Sequence, residues 1–249
     1  MPASSDQATR DRTASGRGSA SAATELPLGE VDLFENLAPA ELATLERTLH
    51  RRRYPAGVPI IAEEQPGDVV YVILEGSVRV FVDQPDGNQV ILAILAAGEI
   101  VGEMSVVDSL VRSANVVTQE PSVLAWTDRT TFWECLRTIP RLTYNLAQIL
   151  SRRIRLANAQ IEALATLTVH GRVARQILAF AQEYGRPGDG GSLVIPIRLT
   201  QNDLAGLVGA SRVRVNQVLV GYRRRRYISV DRGHHIIVHN PTALAERCQ

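Results

Sequence analysis

The sequence predicts an α+β protein with an N-terminal jelly-roll β-barrel, a long dimerisation helix and a C-terminal winged helix-turn-helix. Three features of the 249-residue chain indicate this fold: short β-branched segments between glycine-containing turns, one long apolar stripe with helical spacing, and a basic, helix-rich end. We expect a disordered tail over 1–25, a barrel domain over 26–139, the long helix over 140–168 and the winged helix-turn-helix over 169–249.

Charge is distributed unevenly along the chain, although its net value is only +1. Residues 1–165 carry 15 Arg and 21 acidic residues, whereas residues 166–249 carry 12 Arg and 5 acidic residues. A basic C-terminal third suggests that only this part faces a polyanion. The chain contains no Lys. Arginine favours forked contacts with phosphate and guanine, but genomic base composition is the simpler explanation for that bias.

The two cysteines, Cys135 and Cys248, lie far apart and lack the spacing of a metal site. They suit a reducing cytosol and exclude an iron–sulfur cluster held by four thiolates. No apolar run approaches the ~18 residues of a membrane helix, and the N-terminus has no secretory segment. We therefore expect a soluble, cytoplasmic protein that does not associate with a membrane.

The barrel is predicted from short strands between turn residues. The tail over 1–25 is too polar to order itself, and Leu33–Leu45 has helical spacing with Pro39 at a helix start. An Asp86-Gly87 turn between apolar runs indicates a hairpin. The strand candidates are Val58–Ile61, Val69–Leu74, Ser77–Val82, Gln89–Ile94, Ala114–Val117 and Ser122–Thr127.

The long helix is predicted from one apolar stripe after Pro140. Its members step by three or four residues and are Leu146, Leu150, Ile154, Ala157, Ile161 and Leu164. Such a narrow seam on a long helix favours pairing with a second copy of the chain. Packing against its own barrel is the alternative. We favour a homodimer because a barrel alone does not need so long a seam.

The helix-turn-helix is predicted over residues 200–222, which read TQNDLAGLVGASRVRVNQVLVGY. Thr200 can cap the first helix with Asp203 in the reciprocal position. Ala205 is small where a second helix crosses, and Gly209 suits a left-handed turn. An ordinary helical hairpin is the alternative, which the basic charge of this region disfavours. Residues 227–239 then alternate around Arg232-Gly233 like a winged hairpin.

The exposed face of the second helix carries the side chains that favour major-groove contacts. Arginine pairs with guanine, and Asn or Gln pairs with adenine. Hydroxyls at helix starts and cations after the helix suit phosphate contacts. A solvated turn is the alternative for the arginine run 223–226. The predicted DNA-binding residues are Thr200, Ser211, Arg212, Arg214, Asn216, Gln217, Arg223 and Arg224.

A ligand site is predicted at Gly102-Glu103-Met104-Ser105 and Arg112-Ser113-Ala114. We expect these residues on a tight strand–turn–strand segment of the barrel. Glu103 can accept from a ribose hydroxyl, and Arg112 can fork onto a cyclic phosphate. Backbone amides near Ser113 and Ala114 can donate to the same anion. The alternative is a partly buried structural ion pair between Glu103 and Arg112.

These motifs, in this order, resemble the CRP/FNR superfamily (catabolite activator and fumarate-nitrate regulator) over about residues 30–240. The GEMS and RSA segments resemble the phosphate-binding cassette of its cyclic-AMP-receptor-like branch, where Glu contacts the ribose and Arg the cyclic phosphate. The resemblance implies a homodimeric transcription regulator, not an enzyme, controlled by cAMP. It also implies binding to double-stranded DNA at a palindromic or pseudo-palindromic site, with RNA polymerase as a further partner.

The chain departs from this family at several positions. On the long helix the family contacts the base through a Thr and an adjacent polar residue, where this chain has Ala157 and Asn158. Asn158 and, with less support, Arg153 are the remaining candidates for that contact. The substitution at 157 supports the alternative of a same-fold regulator that is active without ligand or senses another small molecule.

The recognition helix departs as well. A common Arg-Glu pair of the family becomes Arg212-Val213, and a later Arg becomes Gln217. We therefore predict a DNA site that differs from the best-known consensus of the family.

Two other classes of protein are disfavoured. A cupin-like metalloenzyme needs clustered His ligands on barrel strands, and none of His50, His170, His234, His235 and His239 lies between residues 51 and 169. Haem sensing is disfavoured on the same ground, so we expect no metal, haem or iron–sulfur cluster. A cyclic-nucleotide-binding subunit without a DNA role conflicts with the basic C-terminal region.

Overall fold

The computed structural model describes residues 25–248, so the predicted tail over 1–25 lies outside the described residues apart from Glu25. Two short 3-10 turns, Leu28–Glu30 and Asp32–Phe34, lead into helix α1, Pro39–Thr48. This helix begins at the predicted proline, whose missing N–H is no loss at a first helical position.

The strands of the β-domain are β1 His50–Tyr54, β2 Pro59–Ile61, β3 Val69–Glu75, β4 Ser77–Asp83, β5 Gln89–Ala96, β6 Ile100–Val101, β7 Asn115–Thr118 and β8 Ser122–Asp128. Each predicted strand is present within one or two residues. The strands form two four-stranded antiparallel sheets, in the orders β1-β8-β3-β6 and β2-β7-β4-β5. The apolar faces of the two sheets meet in a core of Ile73, Val78, Val116 and Leu124, among others.

Three helices interrupt or follow the barrel: α2 Glu103–Asp108, α3 Arg129–Thr138 and α4 Pro140–Thr166. Asp128 caps α3 by accepting a hydrogen bond from the Thr131 N–H at 3.0 Å. The long helix α4 follows α3 directly, because Pro140 starts it as Pro39 starts α1.

The apolar stripe on α4 divides into two parts. Near the helix start, Leu142 and Leu146 are buried against the barrel domain. Further along, Ile154 and Ile161 are 61% and 65% exposed in the single chain. The first part therefore packs on its own barrel, and the second presents an apolar surface on the outside of the chain.

The C-terminal domain surrounds a core in which Val173, Ile177, Leu204 and Val215 are fully buried. Its elements are α5 Val169–Tyr184, β9 Arg186–Pro187, β10 Leu193–Val194, α6 Gln201–Val208, α7 Arg212–Arg224, β11 Ile228–Val230, β12 Ile236–Val238 and α8 Pro241–Ala245. The four strands form one antiparallel sheet in the order β11-β12-β10-β9. The fold is therefore the predicted barrel, long helix and winged helix-turn-helix.

The C-terminal domain packs directly on the barrel through α6 and β5. A Cβ atom built at Gly206 would lie 2.7 Å from Ile91 Cγ1, so only glycine allows this close approach. At the same contact, Arg79 lies 3.5 Å from the Asp203 carboxylate. The Gln160 side chain also bonds the Leu207 carbonyl oxygen. In this conformation the helix-turn-helix is thus held against the barrel domain and the long helix.

Among the described helices, none combines the length and the apolar composition needed to cross a membrane.

Candidate functional site

The predicted ligand segment folds differently from the strand–turn–strand expectation, because Glu103–Asp108 forms the short helix α2. Gly102 precedes it with a φ of 88°, a left-handed conformation that disfavours any residue with a side chain. A Cβ atom there would also lie 2.7 Å from Arg112 Nη1 and 2.9 Å from the Val69 carbonyl oxygen. Glycine is therefore required for both conformation and space, and it lets the arginine approach the backbone.

Arg112 is 7% exposed and lies beneath this turn. Its Nη1 donates to the Gly102 carbonyl at 2.7 Å and to Ser105 Oγ at 2.9 Å. Its Nη2 donates to the Val69 carbonyl at 2.6 Å. Burial lowers the pKa of Arg112, and the nearby Tyr71, Asp68 and Glu103 offset this only in part. The three hydrogen-bond acceptors are neutral, so the guanidinium charge is not matched by a carboxylate contact.

Glu103 is 2% exposed, and its partner is Arg153 rather than Arg112. Arg153 Nη1 donates to Glu103 Oε1 at 2.6 Å from the long helix. The proposed alternative, a structural ion pair between Glu103 and Arg112, is therefore wrong about the partner. Burial lowers the pKa of Arg153, but the carboxylates of Glu103 and Glu99 outweigh it and raise the pKa above its ordinary value.

Glu99 extends this contact into a longer chain of ion pairs. Its Oε2 accepts from Arg153 Nη2 at 2.9 Å, and its Oε1 accepts from Arg152 Nη2 at 2.8 Å. Arg152 also lies 2.8 Å from Asp32 Oδ2 and 3.0 Å from Glu183 Oε1. Because Glu183 belongs to α5, the chain of contacts runs from the ligand segment to the C-terminal domain.

The same junction forms a small, half-open polar pocket of about 120 Å³, lined by Glu99, Arg152, Glu183 and Tyr184, among others. Burial raises the pKa of Glu183, and burial likewise raises the pKa of Tyr184 strongly. Sequence reasoning missed Glu99, Arg152 and Glu183 as a group. Two sequence signals could have indicated this group. Glu99 and Glu103 lie on either side of the short strand β6, and Arg152 and Arg153 are adjacent on α4.

The other predicted ligand residues occupy mixed environments. Ser105 and Ala114 are buried, whereas Met104 and Ser113 are exposed. Asn158 lies on the exposed part of α4, five residues beyond Arg153 in the same helix. The structure therefore brings Gly102, Glu103, Ser105, Arg112 and Arg153 into one connected group, and Asn158 is separate from it.

The helix-turn-helix has the local signals that the sequence predicts. The Thr200 N–H donates to Asp203 Oδ2 at 2.8 Å, and Thr200 Oγ1 accepts from the Asp203 N–H at 3.2 Å. Gly209 ends α6 with a φ of 59°. Ser211 caps α7 by accepting from the Arg214 N–H at 3.3 Å. Both hydroxyls are thus engaged in capping, which orients the two helix starts.

The outer face of α7 is polar apart from the exposed Val213, while Val215, Val218 and Leu219 face the core. Two predicted contact residues already have side-chain partners: Asn216 Oδ1 accepts from Gln201 Nε2 at 3.0 Å, and Gln217 Oε1 accepts from Arg214 Nη1 at 3.4 Å. Gln201 was not among the predicted residues. The exposed predicted residues on α7 and at its start are Ser211, Arg212, Arg214, Asn216, Gln217, Arg223 and Arg224.

Comparison with known proteins gives two family matches. The family described as "Cyclic nucleotide-binding domain" matches residues 51–138, and the "Crp-like helix-turn-helix domain" matches residues 171–247. A "CRP-like cAMP-activated global transcriptional regulator" of Mycobacterium tuberculosis is 33% identical over 224 residues, covering 89% of this chain and 98% of that protein. A "Cyclic AMP receptor protein" of Thermus thermophilus is 34% identical over 187 residues, covering 75% and 83%.

Solved structures are also similar. The c-di-GMP responsive regulator CLP of Xanthomonas campestris has a TM-score of 0.65 and 25% identity, covering 81% of this chain and 99% of that one. FixK2 of Bradyrhizobium japonicum has a TM-score of 0.71 at 17% identity, covering 81% and 98%. At that identity the second likeness concerns the fold alone.

Proposed function

The chain belongs to the CRP/FNR family of transcription regulators, with a cyclic-nucleotide-binding domain and a DNA-binding helix-turn-helix domain, and on this premise we propose that it is a homodimeric regulator whose operator affinity is controlled by a cyclic nucleotide, namely cAMP. The proposal assigns the nucleotide to Glu103 and Arg112 and the operator to the outer face of α7. It further assigns the exposed part of α4 to the dimer contact. RNA polymerase is the proposed partner of the DNA-bound dimer.

One observation carries the ligand assignment: Arg112 is a buried cation whose hydrogen-bond acceptors are all neutral. Buried charges in proteins are usually paired, because an uncompensated charge in a low-dielectric site is costly. A phosphate diester supplies the missing negative charge. Three of the five guanidinium N–H donors bond the protein, which leaves two for phosphate oxygens.

Glu103 supports the ribose assignment. Its Oε1 accepts from Arg153, so its Oε2 is available to accept from a ribose hydroxyl. Arg153 then orients the carboxylate instead of competing for it.

The chain of ion pairs from Glu103 through Arg153, Glu99 and Arg152 to Glu183 supports control of the DNA-binding domain. A ligand shifts a conformational equilibrium only by its difference in affinity for the two states. Since Glu103 contributes to the nucleotide site and Arg153 holds it, nucleotide binding alters the first link of this chain. The last link bears on α5 and thereby on the position of the helix-turn-helix.

The test is calorimetry with cAMP and cGMP on the wild type and on Arg112→Ala, followed by operator binding at increasing cAMP. We expect the arginine variant to lose at least about tenfold in cAMP affinity, because charged hydrogen bonds contribute about 1.5–3 kcal/mol. Arg155→Ala is the control, since Arg155 is exposed on α4. Operator affinity that does not change with cAMP would contradict nucleotide control.

A second candidate is a regulator of the same fold that is active without ligand or senses another small molecule. It is favoured by Ala157, which cannot hydrogen-bond a base, and by the existing Arg153–Glu103 pair. One solved relative is a c-di-GMP responsive regulator, so c-di-GMP is included in the same titration. Full operator affinity in the absence of any nucleotide would favour this candidate.

A further inference from the structure

The side chain of Gln201 reaches across the helix-turn-helix to the recognition helix. Its Nε2 donates to Asn216 Oδ1 at 3.0 Å, joining the first residue of α6 to the exposed face of α7. We propose that Gln201 is a further specificity-determining residue, which orients Asn216 and presents one joint hydrogen-bonding pattern with it to a base edge. This inference rests on the proposed DNA-binding role of α7.

The two helices that carry the pair are held rigidly against each other. The Thr200–Asp203 capping box fixes the start of α6, whose first residue is Gln201. Leu204 and Val215 are fully buried between the helices in the domain core. The amide pair is therefore supported by fixed backbones on both sides, which is the condition for a side chain to be positioned before it meets DNA.

The direction of this hydrogen bond determines what Asn216 offers to the groove. An asparagine amide can turn over and exchange its oxygen and nitrogen, and its orientation follows from its partners. Since Gln201 donates to Oδ1, the Nδ2 donor is directed away from Gln201. A donor in the major groove meets N7 or O6 of guanine, N7 of adenine or O4 of thymine. Cytosine is the one base that offers only a donor in the major groove, so we expect discrimination against cytosine at the position that Asn216 reads.

The isosteric variant Gln201→Glu reverses this arrangement. A glutamate carboxylate cannot donate, but it can accept from Asn216 Nδ2. The asparagine amide then turns over and directs Oδ1 to the groove, where it accepts from N6 of adenine or N4 of cytosine. A residue that only supports the fold would not invert a base preference in this way.

The experiment selects from a duplex library with a randomised inverted repeat, using the full-length chain with and without saturating cAMP. Gln201→Ala, Gln201→Glu, Asn216→Ala and the double alanine variant are compared with the wild type. Asn202→Ala is the matched control, because Asn202 is the next residue of α6 and is exposed. Thermal unfolding of each variant is measured in parallel.

We expect Gln201→Ala to reduce the discrimination against cytosine about tenfold at one symmetric pair of positions, which corresponds to about 1.4 kcal/mol. The double alanine variant should be no worse than Asn216→Ala, and Asn202→Ala should keep the wild-type preferences. Unchanged preferences in Gln201→Ala and Gln201→Glu, or additive losses in the double variant, would overturn the inference while leaving DNA binding intact. A library that the wild type does not enrich at all would overturn the proposed function and this inference together.

Discussion

Arg153 Nη1 lies 2.6 Å from Glu103 Oε1, so the long helix holds the carboxylate that we assign to the ribose. The Glu103 side chain is 2% exposed and the Arg153 side chain is 24% exposed. Removing one member of a buried charge pair leaves the other charge unpaired, and this costs more than the pair itself contributes.

We therefore predict that Arg153→Ala destabilises the protein by about 2 kcal/mol, the lower end of the range for such truncations, since Arg153 is partly solvated. The double variant Glu103→Gln with Arg153→Ala should recover part of this loss, because a neutral amide has no charge to bury. Urea denaturation of the four proteins measures the coupling. Arg155→Ala is the control, and simple additivity of the two changes would contradict the pairing.

The contact between Gly206 and Ile91 predicts that Gly206→Ala has opposite effects on stability with and without the Ile91 side chain. Replacing glycine by alanine inside a helix normally stabilises by about 1 kcal/mol. Here the new Cβ atom meets Ile91 Cγ1 at 2.7 Å, and such overpacking costs about 1–3 kcal/mol. We expect Gly206→Ala to destabilise the wild type but to stabilise the Ile91→Ala background, both measured by thermal unfolding. An equal effect in the two backgrounds would show that α6 does not rest on β5.

Local patterns were sufficient to predict most of the fold. Turn residues and β-branched runs predict the main strands, and the Thr200 and Ser211 caps predict the starts of α6 and α7. Strand β1 was not predicted, because its arginines are exposed and form ion pairs with acidic residues that are distant in sequence, such as Arg53 with Glu25 and Glu75. Its strand character comes from pairing with β8, which no local pattern shows.

The candidate site was predicted by residue type but not by partner. The sequence singled out Glu103 and Arg112, yet it contains no signal that Arg153 takes the carboxylate and that backbone carbonyls take the guanidinium. These choices depend on the packing of α4 against the barrel. Likewise, the Gln201–Asn216 bond depends on the crossing of two helices, whereas each residue alone is an ordinary polar surface residue.

The exposed stripe on α4 predicts how the oligomeric state responds to a buried charge. Ile161 is 65% exposed in the single chain, in the part of the stripe that the barrel does not cover. If a second copy covers it, Ile161→Asp places an unpaired carboxylate in an apolar seam, which costs several kcal/mol. We expect the dissociation constant of the variant dimer to be at least about tenfold higher than that of the wild type, measured by sedimentation equilibrium. Arg155→Asp places a carboxylate on the exposed outer face of the same helix and changes the net charge by two units instead of one, so an equal or larger effect of this variant would argue against the seam.

The pKa of Glu183 predicts a pH dependence of stability. Burial raises this pKa, with further contributions of the same sign from Glu99 and Asp32, while Arg152 lowers it. The folded chain thus binds the proton more tightly than the unfolded chain, so the associated stability is present below about pH 4.3 and is lost as the pH rises through the raised value. Relative to Glu183→Gln, the wild type should lose stability over this window and then level off. Urea denaturation from pH 4 to 7 measures this difference in the free energy of unfolding. If the wild type instead becomes more stable relative to Glu183→Gln as the pH rises, the contact with Arg152 dominates.

The arginines on and after α7 predict two different responses to mutation. Arg212 is exposed at the first position of the helix, where a forked contact with guanine discriminates against other bases by about 1–3 kcal/mol. Arg212→Ala should therefore weaken operator binding and relax the preference at one position. Arg223 is exposed in the last turn, and a phosphate contact there is independent of sequence, so Arg223→Ala should lower the slope of log affinity against log salt by about 1. Mobility shifts across a salt series distinguish the two, and Asn202→Ala, an uncharged change at an exposed position of α6, is the control. If Arg223→Ala alters base preference but not the salt slope, the assignment of reading and anchoring residues is reversed.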